Sequence, residues 1–137
     1  MSRGSHSMTI RSLVFSGFLS IAVLGCSAPG SNNPAPLTTN GEELFGLKAI
    51  GGSAGCITCH SLTPGHVLVG PSLAGVSEVA GSRIEGIPAD QYLLQSVVDP
   101  AEYVVDTFDA DKMPDNYGDI LSNEQVDALV NYLLEST

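Results

Sequence analysis

Apolar residues fall along this chain in separated blocks, and their spacing decides most of the expected secondary structure. The most regular block is the last. Val126, Leu129, Val130, Leu133 and Leu134 recur at i, i+3, i+4, i+7 and i+8, one face of a helix. Ser122, with Gln125 three residues on, forms a capping box ahead of it. A second helical face comprises Leu93, Leu94, Val97 and Val98. Pro88 suits its first turn, and Asp99-Pro100 ends it, because proline disfavours helical backbone in the residue before it. A third helix is predicted from Thr39 or Asn40, where Thr39 and Glu42 fit a capping box. Leu44, Phe45 and Ile50 would face inward, and Gly51-Gly52-Ser53-Ala54-Gly55 is too glycine-rich to remain helical. Ser72–Val76 reads as a turn or short helix. No stretch alternates convincingly with a period of two. The pattern predicts an all-α fold of three main helices plus short helices and loops.

The first apolar block is of another kind. Arg11 precedes the run Leu13–Leu24, which Gly25-Cys26 closes. A basic start, a short apolar run and a small residue describe a secretory signal peptide. The run is shorter than the roughly 20 residues that span a bilayer. Val23-Leu24-Gly25-Cys26 resembles the lipobox of bacterial lipoproteins, although Leu24 is bulkier than the usual residue there. That resemblance implies removal of residues 1–25 and acylation of Cys26. The exported chain would then be anchored on the periplasmic, extracytoplasmic face of the membrane. The alternative is an ordinary signal peptide followed by a free cysteine. Ser27–Asn40 holds three prolines and almost nothing apolar, so residues 26–40 read as the lipidated cysteine and a flexible linker. Fourteen such residues reach roughly 20 Å. The folded domain is expected over 41–137.

Charge narrows the range of partners. Without residues 1–25, only Lys48, Arg83 and Lys112 stand against fifteen acidic residues, a formal charge of −12. Such a chain does not bind nucleic acid through phosphates and is repelled by anionic lipid.

The chemistry is concentrated in Cys56-Ile57-Thr58-Cys59-His60. Two thiols three residues apart, followed at once by an imidazole, form the attachment signature of c-type haem. Cys56 and Cys59 would make the thioether bonds, and His60 would be the proximal iron ligand. The glycines upstream let the backbone pass close to a flat ring. One axial position is left. Met1 and Met8 leave with the signal peptide, so Met113 is the remaining methionine, in the acidic, turn-like stretch Asp109–Asp115. A thioether there raises the reduction potential and favours electron transfer. His66 competes, but it lies six residues past His60 and reads better as a surface histidine. Arg83, the sole arginine of the mature chain, can fork onto a haem propionate or pair with Glu85 at the surface. Tyr103, Asn116 and Tyr117 can line the methionine side or bond a propionate. The alternative for both tyrosines is ordinary core.

The order CxxCH, then Gly70-Pro71-x-Leu73, then Met113-Pro114, then a terminal helix capped at Leu121-Ser122 resembles class I cytochrome c. The resemblance covers Gly41–Thr137. It implies that Gly41 and Phe45 on the first helix meet Leu129 and Tyr132 on the last. It also implies that the Pro71 carbonyl accepts a bond from the proximal histidine, fixing its tautomer. A narrower likeness lies in Asp99–Phe108 and Met113–Gly118. There the chain looks like the monohaem lipoprotein subunit of alternative complex III, which oxidises quinol, and like cytochrome domains of bacterial haem-copper oxidases.

Other readings fall short. A structural zinc site needs four ligands, and a thioredoxin-like site needs a βαβ context. An EF-hand starting at Asp109 would place Met113 and Pro114 where an oxygen ligand and glycine are required. The expected protein carries one electron on one covalent haem c. It has no catalytic side chain, no small-molecule substrate and no nucleic-acid partner. Its redox partner is basic or permanently attached, as a protein or membrane complex of a respiratory or photosynthetic chain. An independent lipid-anchored shuttle is the nearer alternative. A haem enzyme or gas sensor with a labile Met113 is the remoter one.

Overall fold

The computed structural model describes residues 38–136. The signal segment, Cys26 and most of the linker lie outside them. Within them the elements run α1 (Gly41–Gly46), β1 (Ala49–Ile50), β2 (Ser53–Ala54), α2 (Cys56–Cys59), α3 (Val76–Val79), a 3-10 turn (Ala80–Ser82), α4 (Ala89–Val98), α5 (Tyr117–Ile120) and α6 (Asn123–Glu135). The architecture is helical, with one minimal hairpin.

Helix α6 forms as its pattern requires. The Ser122 N–H donates to Gln125 Oε1 at 2.9 Å, and the Gln125 N–H donates to Ser122 Oγ at 3.4 Å. Its buried face is Gln125, Val126, Leu129, Val130 and Leu133. Across that face lies α1. The carbon a side chain would add at Gly41 falls 2.1 Å from the Ala128 carbonyl oxygen, so the two backbones meet at a point only glycine can occupy. Phe45 and Tyr132 pack with ring centroids 5.8 Å apart, while Leu44 and Phe45 are buried.

Helix α1 is shorter than its pattern suggests, and the cap is Asn40, not Thr39. Asn40 Oδ1 accepts from the Glu43 N–H at 2.9 Å. The helix stops at Gly46, where Leu47 turns extended and its N–H bonds the Leu44 carbonyl at 3.2 Å. Ile50 is fully buried, but from a strand and not from the helix. Residues 49–50 pair antiparallel with 53–54, Ile50 opposite Ser53. Gly51 and Gly52 both take positive φ (56° and 92°), as a two-residue primed hairpin turn demands. Strands two residues long show no alternation, so this hairpin had no signature in the pattern.

Helix α4 begins after Pro88 and is capped at Asp99, as expected. Its buried residues are Tyr92 and Leu93, with Val97 half-buried, whereas Leu94 is 42% exposed. At 100° per residue, Tyr92, Leu93, Ser96 and Val97 share one face, and Leu94 falls on its edge. From Asp99 to Asn116 the chain has no helix, a loop long enough to suggest function on its own. No helix among the described residues is long and apolar enough to cross a membrane.

Candidate functional site

Helix α2 is a single turn, and it places Cys56 and Cys59 three residues apart on the same side. The Thr58 hydroxyl donates to the Gly55 carbonyl at 2.6 Å and closes the start of the turn. The His60 N–H donates to the Cys56 carbonyl at 2.9 Å, and the backbone there turns extended. His60 Nδ1 lies 2.8 Å from the Pro71 carbonyl oxygen. A carbonyl only accepts, so Nδ1 carries the proton and Nε2 keeps its lone pair for a metal. The ring lies against Gly70, where an added β-carbon would stand 2.5 Å from Cε1. Burial pulls the His60 pKa below its ordinary value and the Pro71 bond opposes it, so the neutral, ligating imidazole is favoured. Burial pushes the Cys56 thiol up; its own backbone hydrogen bond lowers it, and Cys59 nearby raises it.

Cys56, Cys59, His60 and Met113 all line one cleft, with about 1050 Å³ of empty space including its open mouth. Tyr92, Leu93, Ser96 and Val97 of α4 contribute to its wall, as do Leu129 and Leu133 of α6 and Phe45 of α1. The loop after α4 adds Pro100, Tyr103, Val104, Val105, Phe108 and Met113. Met113 is half-buried and packs against the core, although its sequence neighbours are acidic and turn-like. An apolar cleft carrying two thiols and an imidazole at attachment spacing, with a thioether in the same lining, fits a flat, largely apolar macrocycle with a central iron. The donor set is soft sulfur and imidazole nitrogen, suited to haem iron.

The remaining expected residues divide. Pro71 and Tyr103 line the cleft, and Tyr103 meets Tyr92 edge to face at 5.7 Å. Arg83, Asn116 and Tyr117 are not among the lining residues. Arg83 is half-buried with its Nε enclosed and without a protein partner. It does not pair with Glu85, since the ion pair found among the described residues is Lys112–Asp111. Asn116 Oδ1 accepts from the Ser53 hydroxyl at 3.0 Å, and the Tyr117 hydroxyl donates to the Ala54 carbonyl. Both therefore tie the end of the Met113 loop to the hairpin just before Cys56. The Tyr117 pKa is pushed up to about 12, chiefly by burial and then by the nearby cysteines. His66 is exposed, with Nδ1 3.2 Å from Ser61 Oγ. Among the described residues no cluster of three or more His, Cys, Asp or Glu can hold a metal ion.

Phe45, Tyr92, Val104, Val105 and Phe108 also line the cleft, though no motif in the sequence marked them for it. The α4 contribution was readable from the i, i+3, i+4 spacing of one face. The loop contribution had no periodic signal.

The fold and site define a small helical protein built around a covalently held haem. A family profile for cytochrome c matches residues 39–137, and the chain belongs to that family. No curated protein and no solved structure gives a significant match. Cytochromes c are electron-transfer proteins that attach haem c covalently, and Cys56 and Cys59 stand at the attachment spacing. Bound in the cleft, the haem supplies a one-electron iron couple. The chain's side chains enclose it and set the polarity around it.

Proposed function

We propose that this chain is a membrane-tethered monohaem cytochrome c passing single electrons in a respiratory or photosynthetic chain. Cys56 and Cys59 would hold its haem covalently, and His60 and Met113 would bind the iron. It works as a subunit of, or donor or acceptor to, a quinol-oxidising complex of the alternative complex III type or a terminal oxidase. The observation that carries the reading is the convergence of Cys56, Cys59, His60 and Met113 on one apolar cleft. With His60 and Met113 both available to the iron, the chain would leave no open position for a substrate, and the largely apolar wall would keep water away from the iron. Acylation of Cys26 would hold the domain near its partner, raising its effective concentration there. Arg83, whose buried Nε has no protein partner, remains the candidate for a propionate.

A carbon monoxide titration of the ferrous protein tests this. The native protein is expected not to bind at neutral pH. Met113→Ala is expected to keep covalent haem, bind carbon monoxide stoichiometrically and show a lower potential. Prompt binding by the native protein would favour an enzyme or gas sensor, and an unchanged Met113→Ala spectrum and potential would remove Met113 as ligand.

A further inference from the structure

The loop that carries Met113 is held mainly from one end. Between Glu102 and Met113 its backbone hydrogen bonds, among the described residues, join residues three apart. The Glu102 N–H donates to the Asp99 carbonyl at 3.2 Å, Phe108 to Val105 at 3.1 Å and Lys112 to Asp109 at 3.4 Å. Bonds of that span shape turns and grip nothing outside the loop. Hydrogen bonds to a distant segment begin just past Met113. The Ser53 hydroxyl donates to Asn116 Oδ1 at 3.0 Å, and the Tyr117 hydroxyl donates to the Ala54 carbonyl. Each joins residues 63 apart in the chain. A third contact flanks them, since a side chain at Gly51 would run into Ile120. The hairpin that receives all three is itself fixed. Its Ile50 is fully buried, and the Gly55 N–H donates to the Lys48 carbonyl at 2.9 Å, immediately before Cys56.

We propose that Asn116 and Tyr117 are positioning residues for Met113, and that the hairpin is the fixed point against which they hold it. The proposal rests on the reading of Met113 as an iron ligand. Met113 stands three residues before Asn116, and three residues reach at most about 10 Å when fully extended. Pro114 lies between them with its φ locked, which removes further freedom. The range of the thioether is therefore set from its C-terminal side. The hairpin runs straight into Cys56 and His60, so the clamp fixes how far Met113 stands from the cysteine turn and the imidazole. The sequence around Met113 works the other way. Asp109, Asp111 and Asp115 are exposed and favour solvent, which draws the turn outward. Tyr117 is buried, so a hydroxyl parted from Ala54 leaves a buried carbonyl unpaired, and the bond resists opening. Without the clamp Met113 would leave the iron more readily, while the covalent attachment at Cys56 and Cys59 would be untouched.

Imidazole competition tests this. Full-length, haem-loaded ferric protein in detergent micelles is titrated with imidazole, which competes with Met113 for the iron, and the apparent affinity is read from visible absorbance. Tyr117→Phe and Ser53→Ala should each raise that affinity about threefold to tenfold, since each frees Met113 by one hydrogen bond. Asn116→Asp keeps an acceptor for Ser53 and should stay at the wild-type value. Ser53→Ala/Asn116→Ala should match Ser53→Ala alone, because both substitutions remove one shared bond. Ser77→Ala removes a comparable hydroxyl-to-carbonyl bond, 3.2 Å to Ser136, between α3 and the end of α6, and should leave the affinity unchanged. Wild-type affinity in both Tyr117→Phe and Ser53→Ala overturns the proposal. So does an equal rise in Ser77→Ala or Asn116→Asp, the mark of general loosening. Met113→Ala should bind imidazole more tightly than any of these. A wild-type affinity in Met113→Ala would instead defeat the ligation reading beneath the proposal.

Discussion

A single methyl group would disturb the position of His60. The imidazole lies on Gly70, where an added β-carbon would stand 2.5 Å from Cε1 and 2.9 Å from Nδ1. The ring cannot retreat without lengthening its 2.8 Å bond to the Pro71 carbonyl. Gly70→Ala is expected to cost about 1–3 kcal/mol, the usual penalty of overpacking, read as a lowered thermal midpoint of the haem-loaded protein. An unchanged midpoint would show that the Gly70 loop yields freely. Tyr117 governs an alkaline response. Its folded pKa is about 12 against an ordinary 10, so the folded state holds the phenolic proton more tightly. That stabilisation is complete below pH 10 and is lost as pH rises through 12. Tyr117→Phe should be less stable at neutral pH, having lost the bond to Ala54, yet flatter in stability across this alkaline window. Denaturation curves at stepped pH measure both effects, and equal slopes for the two proteins would remove Tyr117 from the alkaline transition. The thiols, the imidazole and the thioether were legible because their residue types carry the chemistry wherever the chain puts them. The Gly70 contact and the Tyr117 bond were not, since each depends on a partner that the fold brings in from elsewhere.

The α1–α6 crossing governs the core. At Gly41 an added β-carbon would meet backbone, 2.1 Å from the Ala128 oxygen and 2.8 Å from its carbonyl carbon, besides Tyr132 Cβ at 2.7 Å. Backbone cannot rotate away, so α1 must lift off α6 and loosen the Phe45–Tyr132 pair. Gly41→Ala should therefore cost about 2–3 kcal/mol in chemical denaturation. Gly46→Ala, with nothing within 4 Å of its new carbon, should be neutral or gain up to about 1 kcal/mol from helix propensity. Equal effects at the two sites would mean that the helices are not in close contact. The ends of α4 and α6 were readable because capping pairs and proline act locally. The early stop of α1 was not, because the hairpin that follows it buries Ile50 through a tertiary contact.

For the whole molecule, the expected tether and the folded domain should be separable by mutation. Cys26→Ser should leave the visible spectrum of the haem domain unchanged and move the protein from the membrane to the soluble fraction after cell fractionation. Firm membrane association in that variant would point to a partner subunit as the anchor. Two chain segments contribute much of the lining of the cleft that would hold the cofactor. One is the bonded loop from Ser61 to Leu73, and the other is the helix-free stretch from Asp99 to Asn116. In a domain this small the haem adds apolar contact that the side chains alone do not supply.

Residue identity and local spacing by themselves determined the haem attachment pentapeptide, the one methionine among the described residues and the capped terminal helix. Covalent chemistry and capping act over three or four residues. Only the tertiary structure decided that Met113 packs in the cleft alongside Asp109 and Lys112, that Gly70 seats the imidazole, and that Asn116 and Tyr117 latch onto the hairpin. It also decided that Val67, Leu68 and Val69 stand exposed on the loop between Ser61 and Leu73. Those outcomes follow from packing between segments distant in the chain, where burial and hydrogen bonding outweigh local preference.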